Sequence, residues 1–262
     1  MPPRHHTVGI ITSMRVATWN VNGIRKRQPE FLAWVAYEQP DVVCLQETKA
    51  SPEQLEDALC SLSGYTCFWH GAGGYSGTSL NVRADVVGEP VFSHPAFDRE
   101  TRVVLATLQS SLIIASIYVP NGGKNFEDKM IFLKEMEEWA ADTVASGNEL
   151  IMCGDMNITR TEMDVHPKER KPRAIGQLPI EREAFDRILR RGFTDMGRYF
   201  DPDNDGLFTW WAPWRNMRQR NIGWRLDYIL ASPEVSETAT SCIVQAQVGT
   251  SDHAPVVATF DV

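Results

Sequence analysis

From Met14 onward, short β-rich runs alternate with amphipathic helical stretches. The rhythm breaks in the last third of the chain, where strands follow one another with no long helix between them. The apolar patterning predicts strands at Arg15–Asn20, Asp41–Gln46, Tyr65–His70, Arg102–Gln109, Leu112–Val119 and Glu149–Cys153. Ser51-Pro52-Glu53-Gln54 joins an N-cap, a proline at the first helical position and a capping-box glutamine, so a helix is predicted through Leu62. A second helix is predicted from Phe126 to Val144, ending at Gly147, and a third from about Pro179 to Arg191, ending at Gly192. The late runs Arg225–Ala231, Ser241–Val248 and Ala254–Phe260 lack the helical crossovers that parallel neighbours need, so antiparallel pairing is expected of them.

At 262 residues and 43% hydrophobic content, the chain is long enough to bury a sizeable core in a single domain, expected over residues 14–262. Residues 1–13, with His5 and His6, show no periodicity and read as a disordered N-terminal extension. No apolar run approaches the roughly 20 residues of a bilayer span and no signal-peptide pattern opens the chain, so a cytoplasmic protein without membrane contact is expected. The five cysteines, Cys44, Cys60, Cys67, Cys153 and Cys242, lack C-x-x-C spacing and read as small buried hydrophobes in a reducing compartment. The net charge of −8 argues against nucleic acid, because phosphate binding draws on basic surface. Its distribution argues the other way. Four bases stand between Lys168 and Arg173, and no acid interrupts the segment that carries Arg215, Arg218, Arg220 and Arg225.

Polar groups recur where the apolar runs end. Asn20 closes the first strand, Glu47 follows the second, Tyr118 ends the fifth, and Asp155 and Asn157 follow the sixth. Asp227 and the pair Asp252-His253 stand at the starts of late strands. If the late strands run against the early ones, all of these groups meet on one edge of the sheets. Carboxylates and amides suit phosphodiester hydrolysis, which needs oxygen ligands for a hard cation, a base for water and donors for the phosphate. No His/Cys cluster points to zinc, and the P-loop, nucleophile-elbow and Rossmann glycine patterns are absent.

Seven motifs carry these residues in order: Trp19-Asn20-Val21-Asn22-Gly23, Leu45-Gln46-Glu47-Thr48-Lys49, Gly74-Tyr75-Ser76-Gly77, Tyr118-Val119-Pro120-Asn121, Gly154-Asp155-Met156-Asn157, Trp224-Arg225-Leu226-Asp227-Tyr228 and Ser251-Asp252-His253-Ala254-Pro255. The set resembles that of the exonuclease III family of abasic-site endonucleases, from about Met14 to the C-terminus. The resemblance implies an α/β four-layer sandwich, two mixed β-sheets packed face to face with helices on both outer sides. It implies Mg²⁺, one or two ions with Mn²⁺ able to substitute, held by Glu47 as principal ligand with Asn20, Asp252, Asp155 and Asn157. Asp155 would orient or deprotonate water, while Asn157, Tyr118 and His253 would hold phosphate oxygens and Asp227 would fix the His253 imidazole in its charged form. Some relatives carry Asp where this chain has Asn22, so its metal site has one fewer possible carboxylate.

Substrate choice within such a scaffold is expected from loops. Trp210, Trp224 and Leu226 resemble the family's pocket for an extrahelical, base-free sugar, which excludes a normal nucleotide by volume. Interleaved aromatics and arginines suit a wedge into kinked DNA. Arg25, Lys26, Tyr75, Asn121, Lys124, Trp214, Arg215 and Arg218 are the expected DNA contacts. The resemblance thus implies a monomeric enzyme of base excision repair, engaged with the nucleoid, that cuts duplex DNA 5′ to abasic sites, with 3′-phosphodiesterase or 3′→5′ exonuclease activity beside it. The alternatives are a phosphatase or phospholipase on the same scaffold, or a damage-binding homologue without catalysis.

Overall fold

The computed structural model describes residues 13–83, 85, 88–108 and 111–261. The expected extension over residues 1–13 lies outside them except for Ser13. Two six-stranded mixed sheets form the centre of the molecule. The first runs β11 (Ala239–Val244), β12 (Val256–Phe260), β1 (Met14–Asn20), β2 (Val42–Gln46), β4 (Thr78–Arg83), β3 (Tyr65–His70). The second runs β5 (Val91–Ser93), β6 (Val103–Thr107), β7 (Leu112–Tyr118), β8 (Glu149–Asp155), β10 (Asp227–Ala231), β9 (Thr194–Asp195). In each sheet one central pair is parallel, β1 with β2 and β7 with β8, and every other ladder is antiparallel.

Strands at the sheet centres are buried on both faces, which explains their nearly continuous apolar runs. Val16, Cys44, Leu80, Ile114, Ile151 and Ile229 fill the layer between the sheets. Cutting a fully buried aliphatic such as Ile151 back to alanine costs about 2–5 kcal/mol by lost burial and the cavity left behind. Outside the second sheet lie α3 (Phe126–Ala145) and α4 (Pro179–Arg190), which bury Phe132, Leu133, Met136, Phe185 and Ile188. Outside the first sheet lies α1 (Ile24–Glu38), which buries Phe31, Trp34 and Val35. The four-layer sandwich is the expected one.

The strands β4, β5 and β9 and the helix α1 have no counterpart among the predicted elements, the predicted Ser241–Val248 strand ends at Val244, and one predicted helix is broken. No helix is predicted where α1 stands, and Pro29 inside it removes a backbone donor. The apolar face buried against β1 and β2 holds the helix together across that proline. The predicted Ser51–Leu62 helix is instead one 3₁₀ turn at Pro52–Gln54 and one short turn, α2 (Asp57–Cys60), with Leu55 extended between them. The capping box is present, with the Ser51 N–H donating to Gln54 Oε1 at 3.1 Å, but Leu55 turns extended directly after it, and Leu55, Leu59 and Leu62 reach the core outside the first sheet from a broken rather than a continuous helix. The short helices α5 (Met196–Phe200) and α6 (Pro233–Glu237) add Met196 and Val235 to the core between the sheets. All five cysteines are free; Cys44 and Cys153 are buried as expected, whereas Cys60 is exposed on α2.

Candidate active site

Register brings the chemistry together. On three neighbouring strands Tyr118 pairs with Asp155, and Asp155 pairs with Asp227. In the other sheet Asn20 ends β1 opposite Gln46, with Glu47 one residue beyond. β12 runs antiparallel to β1 and β10 antiparallel to β8, so Asp252, His253 and Asp227, which precede or open late strands, arrive at the same edge as the early strand ends. Gly154 lets β8 approach β7 here: a Cβ would lie 1.8 Å from the Ile117 carbonyl oxygen.

The floor of the site is buried and densely hydrogen-bonded. Asn20 Nδ2 donates to Asp155 Oδ2 at 2.8 Å and to Glu47 Oε2 at 3.0 Å, bridging the two sheets through their carboxylates. The Asn157 N–H donates to Asp155 Oδ1 at 2.9 Å, while its Nδ2 donates to the Val119 carbonyl at 2.9 Å and to Asp155 Oδ2 at 3.3 Å. His253 Nδ1 lies 2.9 Å from Asp227 Oδ2, and its Nε2 lies 3.9 Å from Asp155 Oδ2. Thr209 Oγ1 accepts from the Leu226 and Asp227 N–H groups and fixes the start of β10.

Burial shifts the protonation of this floor. Removal from water pushes the Asp155 carboxyl up to about 7, with Asp227 adding to the effect and the His253 charge opposing it. Burial opposes charge on His253 too, but Asp227 and Asp155 outweigh it and push the imidazole up to about 10. Burial, with the nearby Glu47 and Asp155 carboxylates, raises Tyr118 far above an ordinary phenol, so it stays an O–H donor.

At the mouth, Lys49 Nζ sits 2.7 Å from Glu47 Oε1 and donates to Asn22 Oδ1 at 2.7 Å. Asn22 Nδ2 in turn donates to Asp252 Oδ1 at 2.8 Å, and Trp210 Nε1 donates to Asp252 Oδ2 at 3.0 Å. Burial alone would raise Asp252, but His253, Asn22 and Trp210 together hold it below the usual carboxylate range. Asn22, Glu47, Lys49 and Asn157 all adopt positive φ, between 43° and 54°. Left-handed backbone costs a glutamate or lysine of order 1–3 kcal/mol, and its concentration at one sheet edge marks a site held in place by its surroundings. Oxygen donors from Glu47, Asp155 and Asp252, with Asp227 Oδ1 buried and unpartnered, fit a hard divalent cation.

A cleft of about 420 Å³ joins this floor to Trp210, Trp224, Leu226 and Ile175. Trp210 and Trp224 meet edge to face at 5.5 Å, and Trp210 bridges both Trp224 and His253 in backbone register. The three predicted pocket residues and every predicted catalytic residue therefore line or underlie one cavity. The predicted DNA contacts scatter more widely. Arg25, Lys26 and Lys124 are exposed, Tyr75 is half exposed with Lys124 Nζ 4.8 Å over its ring, and Trp214 is exposed beside Arg215. Asn121 is exposed and donates to Asn157 Oδ1 at 3.2 Å.

Two arginines of the basic segment have other work. Arg218 packs over Trp211 and donates to the Ala246, Val248 and Ser251 carbonyls, bracing a loop. Arg225 is buried, donating to Asp164 Oδ1 at 2.8 Å and to both Asp195 oxygens at 2.7–2.9 Å. Lys49, Thr209 and Lys129 are not among the predicted site residues. Lys129 is the most hidden: on the apolar face of α3, it donates to Asn157 O at 2.8 Å and pairs with buried Glu181. A lysine in phase with Phe132, Leu133 and Met136 is the signal that would have found it.

Acyl transfer needs an activated nucleophile that this edge lacks among its described residues, whereas its oxygen donors and charged imidazole suit a phosphate ester. Fold and site together therefore define a phosphoesterase of the four-layer sandwich type. The profile of the Endonuclease/Exonuclease/phosphatase family matches residues 17–253, and the chain belongs to that family. The chain is 33% identical over 255 residues to an exodeoxyribonuclease of Bacillus subtilis, covering 93% of this chain and 98% of that protein. It is 32% identical to the DNA repair nuclease APEX1 of Danio rerio, over 95% of this chain and 82% of that one. Among solved structures, an AP endonuclease from Archaeoglobus fulgidus superposes with a TM-score of 0.85 at 28% identity, covering 95% and 100% of the two chains. The 3′ phosphatase NExo from Neisseria, bound to product DNA hairpin, superposes at 0.87 with 30% identity and the same coverage.

Proposed function

We propose that this chain is a DNA repair hydrolase that cuts the phosphodiester 5′ to an abasic site, leaving a 3′-hydroxyl and a 5′-deoxyribose phosphate. The observation that carries this reading is one cleft holding both the buried Asp155–Asp227–His253 floor and an apolar wall of Trp210, Trp224 and Leu226. The floor suits phosphate chemistry, and the wall suits a sugar without its base.

Glu47, with Asp252 and the Asn20–Asp155 pair, would hold Mg²⁺, or Mn²⁺ in its place. Such a cation supplies polarisation of the phosphate and neutralisation of developing charge. Asp155, with a proton affinity near neutrality, takes the proton of the attacking water. The charged His253, its Nδ1 held by Asp227, faces a phosphate oxygen, and the Tyr118 hydroxyl donates to another. The Asn157 amide is already committed to Val119 and Asp155, so it acts by orienting Asp155. The exposed bases Lys168, Arg170, Lys171 and Arg173, with Arg25, Lys26 and Arg215, contact flanking phosphates, which reconciles the acidic net charge with an anionic substrate. The enzyme works as a monomeric single domain over residues 14–262 in the cytoplasm. No described helix is long and apolar enough to cross a membrane.

A second reading concerns the 3′ end, because a 3′ phosphatase and an exodeoxyribonuclease stand among the relatives. These activities use the same floor as the first reading and differ from it in what enters the cleft, a 3′ end in place of an internal base-free sugar. Three labelled duplexes separate them, bearing an internal tetrahydrofuran, a 3′-phosphate or a 3′-hydroxyl end. Mg²⁺-dependent, EDTA-sensitive incision of the first supports the primary reading, and activity confined to the other two replaces it with the second.

A further inference from the structure

A second imidazole–carboxylate cluster lies away from the cleft and serves no step of the proposed chemistry. His70 ends β3 in the first sheet, while His94 and Asp98 lie in the connection between β5 and β6 of the second. One ligand atom from each of the three lies within 4.8 Å of the others. We propose that His70, His94 and Asp98 form a binding site for a zinc-class divalent ion that fastens the two sheets together at their edge.

The surroundings are arranged as metal ligands require. His94 Nδ1 lies 3.0 Å from the Val103 carbonyl oxygen, which can only accept, so Nδ1 carries the proton and Nε2 is left with its lone pair. Metal-binding histidines nearly always donate their other nitrogen in this way, which fixes tautomer and orientation. Asp98 is anchored likewise: its Oδ1 accepts from the Arg102 and Val103 N–H groups, both at 2.8 Å, while Oδ2 faces His70 Nε2 at 2.7 Å. Asp98 Oδ2 and His70 Nε2 now share one proton, which a metal ion would replace and release to solvent.

The rings of His70 and His94 stack at 3.9 Å with 27° between their planes. His94 is exposed, so its Nε2 is open to an ion from solvent, while His70 and Asp98 are partly buried. Two nitrogens and one oxygen select Zn²⁺, Co²⁺ or Ni²⁺ over Mg²⁺, and three protein ligands leave one position for water. Arg102, which Asp98 anchors, lies over the Tyr118 ring at 4.8 Å, so the fastening also steadies that wall of the cleft.

Co²⁺ titration of the full-length protein in excess Mg²⁺ tests the site through its visible absorption, with Zn²⁺ as displacing ion. The expected result is one tightly held equivalent, weakened at least about tenfold by His94→Ala and by His70→Ala. Glu47→Gln, which strips the active-site edge, should leave that band unchanged. Unchanged cobalt affinity in both histidine variants, or loss of the band in Glu47→Gln, would overturn the proposal. His94 is exposed and lies outside the buried core, touching Phe68 and His70 at the surface, so its variant remains a fair test if His70→Ala fails to fold.

Discussion

The floor of the cleft and its tryptophan-bearing rim are built on opposite plans. In the floor, Asn20, Asp155, Asn157, Asp227 and His253 are buried polar groups that hold one another through short hydrogen bonds between strand ends. The rim, from Phe208 to Leu226, has no long strand or helix and carries its own small core of Phe208, Trp211, Met217 and Ile222. Trp214 and Arg215 project from that core into solvent. The difference assigns labour: rigid buried charge sets the chemistry, and a surface loop sets which substrate reaches it. Damage to the floor should therefore appear in turnover, and damage to the rim in affinity and selectivity.

The largest effect is expected from His253→Ala or Asp155→Asn. Either should lower kcat by about 10²–10⁴-fold in single-turnover incision, with DNA affinity changed by less than about threefold. A comparable loss of affinity would break the separation of floor from rim. Next comes Arg225→Ala, which tests where the rim's scaffold begins. Removing one partner from the buried Asp164–Arg225–Asp195 network should cost about 3–5 kcal/mol in urea unfolding. Arg215→Ala, nearby in sequence but exposed, should leave stability unchanged.

The same network has an acid signature. Burial alone would raise Asp164, but Arg225 and Arg198 outweigh it and hold the carboxyl at about 2, against 3.8 when unpaired. A depressed folded pKa gives stabilisation that is full above the unfolded value and lost as pH falls through the folded one. Between pH 4 and pH 2 the protein should therefore lose about 2 kcal/mol that Asp164→Asn never had, seen as a flatter acid limb in the variant's unfolding profile. Smaller again, Trp210→Ala should reduce preference for abasic over intact duplex by about tenfold, with residual cutting of abasic DNA retained. Smallest is Arg25→Ala: a few-fold weaker binding to any duplex, and a salt dependence shallower by about one phosphate contact.

Much of the floor was legible in the sequence because strand ends advertise themselves. An apolar run that stops at Asn20, Tyr118 or Asp155 places a polar group at a sheet edge, and the antiparallel late strands deliver Asp227 and His253 to the same edge. Helix boundaries at Phe126 and Pro179 were equally plain, from caps and a proline. What escaped depends on three-dimensional burial. α1 starts after Gly23 without a side-chain cap and runs through Pro29, and the capping box at Ser51 announced a helix that breaks at Leu55. Arg225 and Arg218 look alike as surface charge in sequence, but one sits in a buried salt-bridge network and the other is bound to loop carbonyls. Lys129 was hidden for the converse reason, since a charged residue on an apolar helix face is ordinarily taken for surface.

Selection of a base-free sugar by the cleft is read most directly from kcat/KM on two duplexes of one sequence, one with a single tetrahydrofuran residue and one intact, in Mg²⁺ and again with EDTA. Incision 5′ to the tetrahydrofuran, abolished by EDTA and at least about 10²-fold faster than any cut in the intact duplex, is the predicted result. Equal cutting of both duplexes, or no incision of either while a phosphomonoester is hydrolysed, would contradict it.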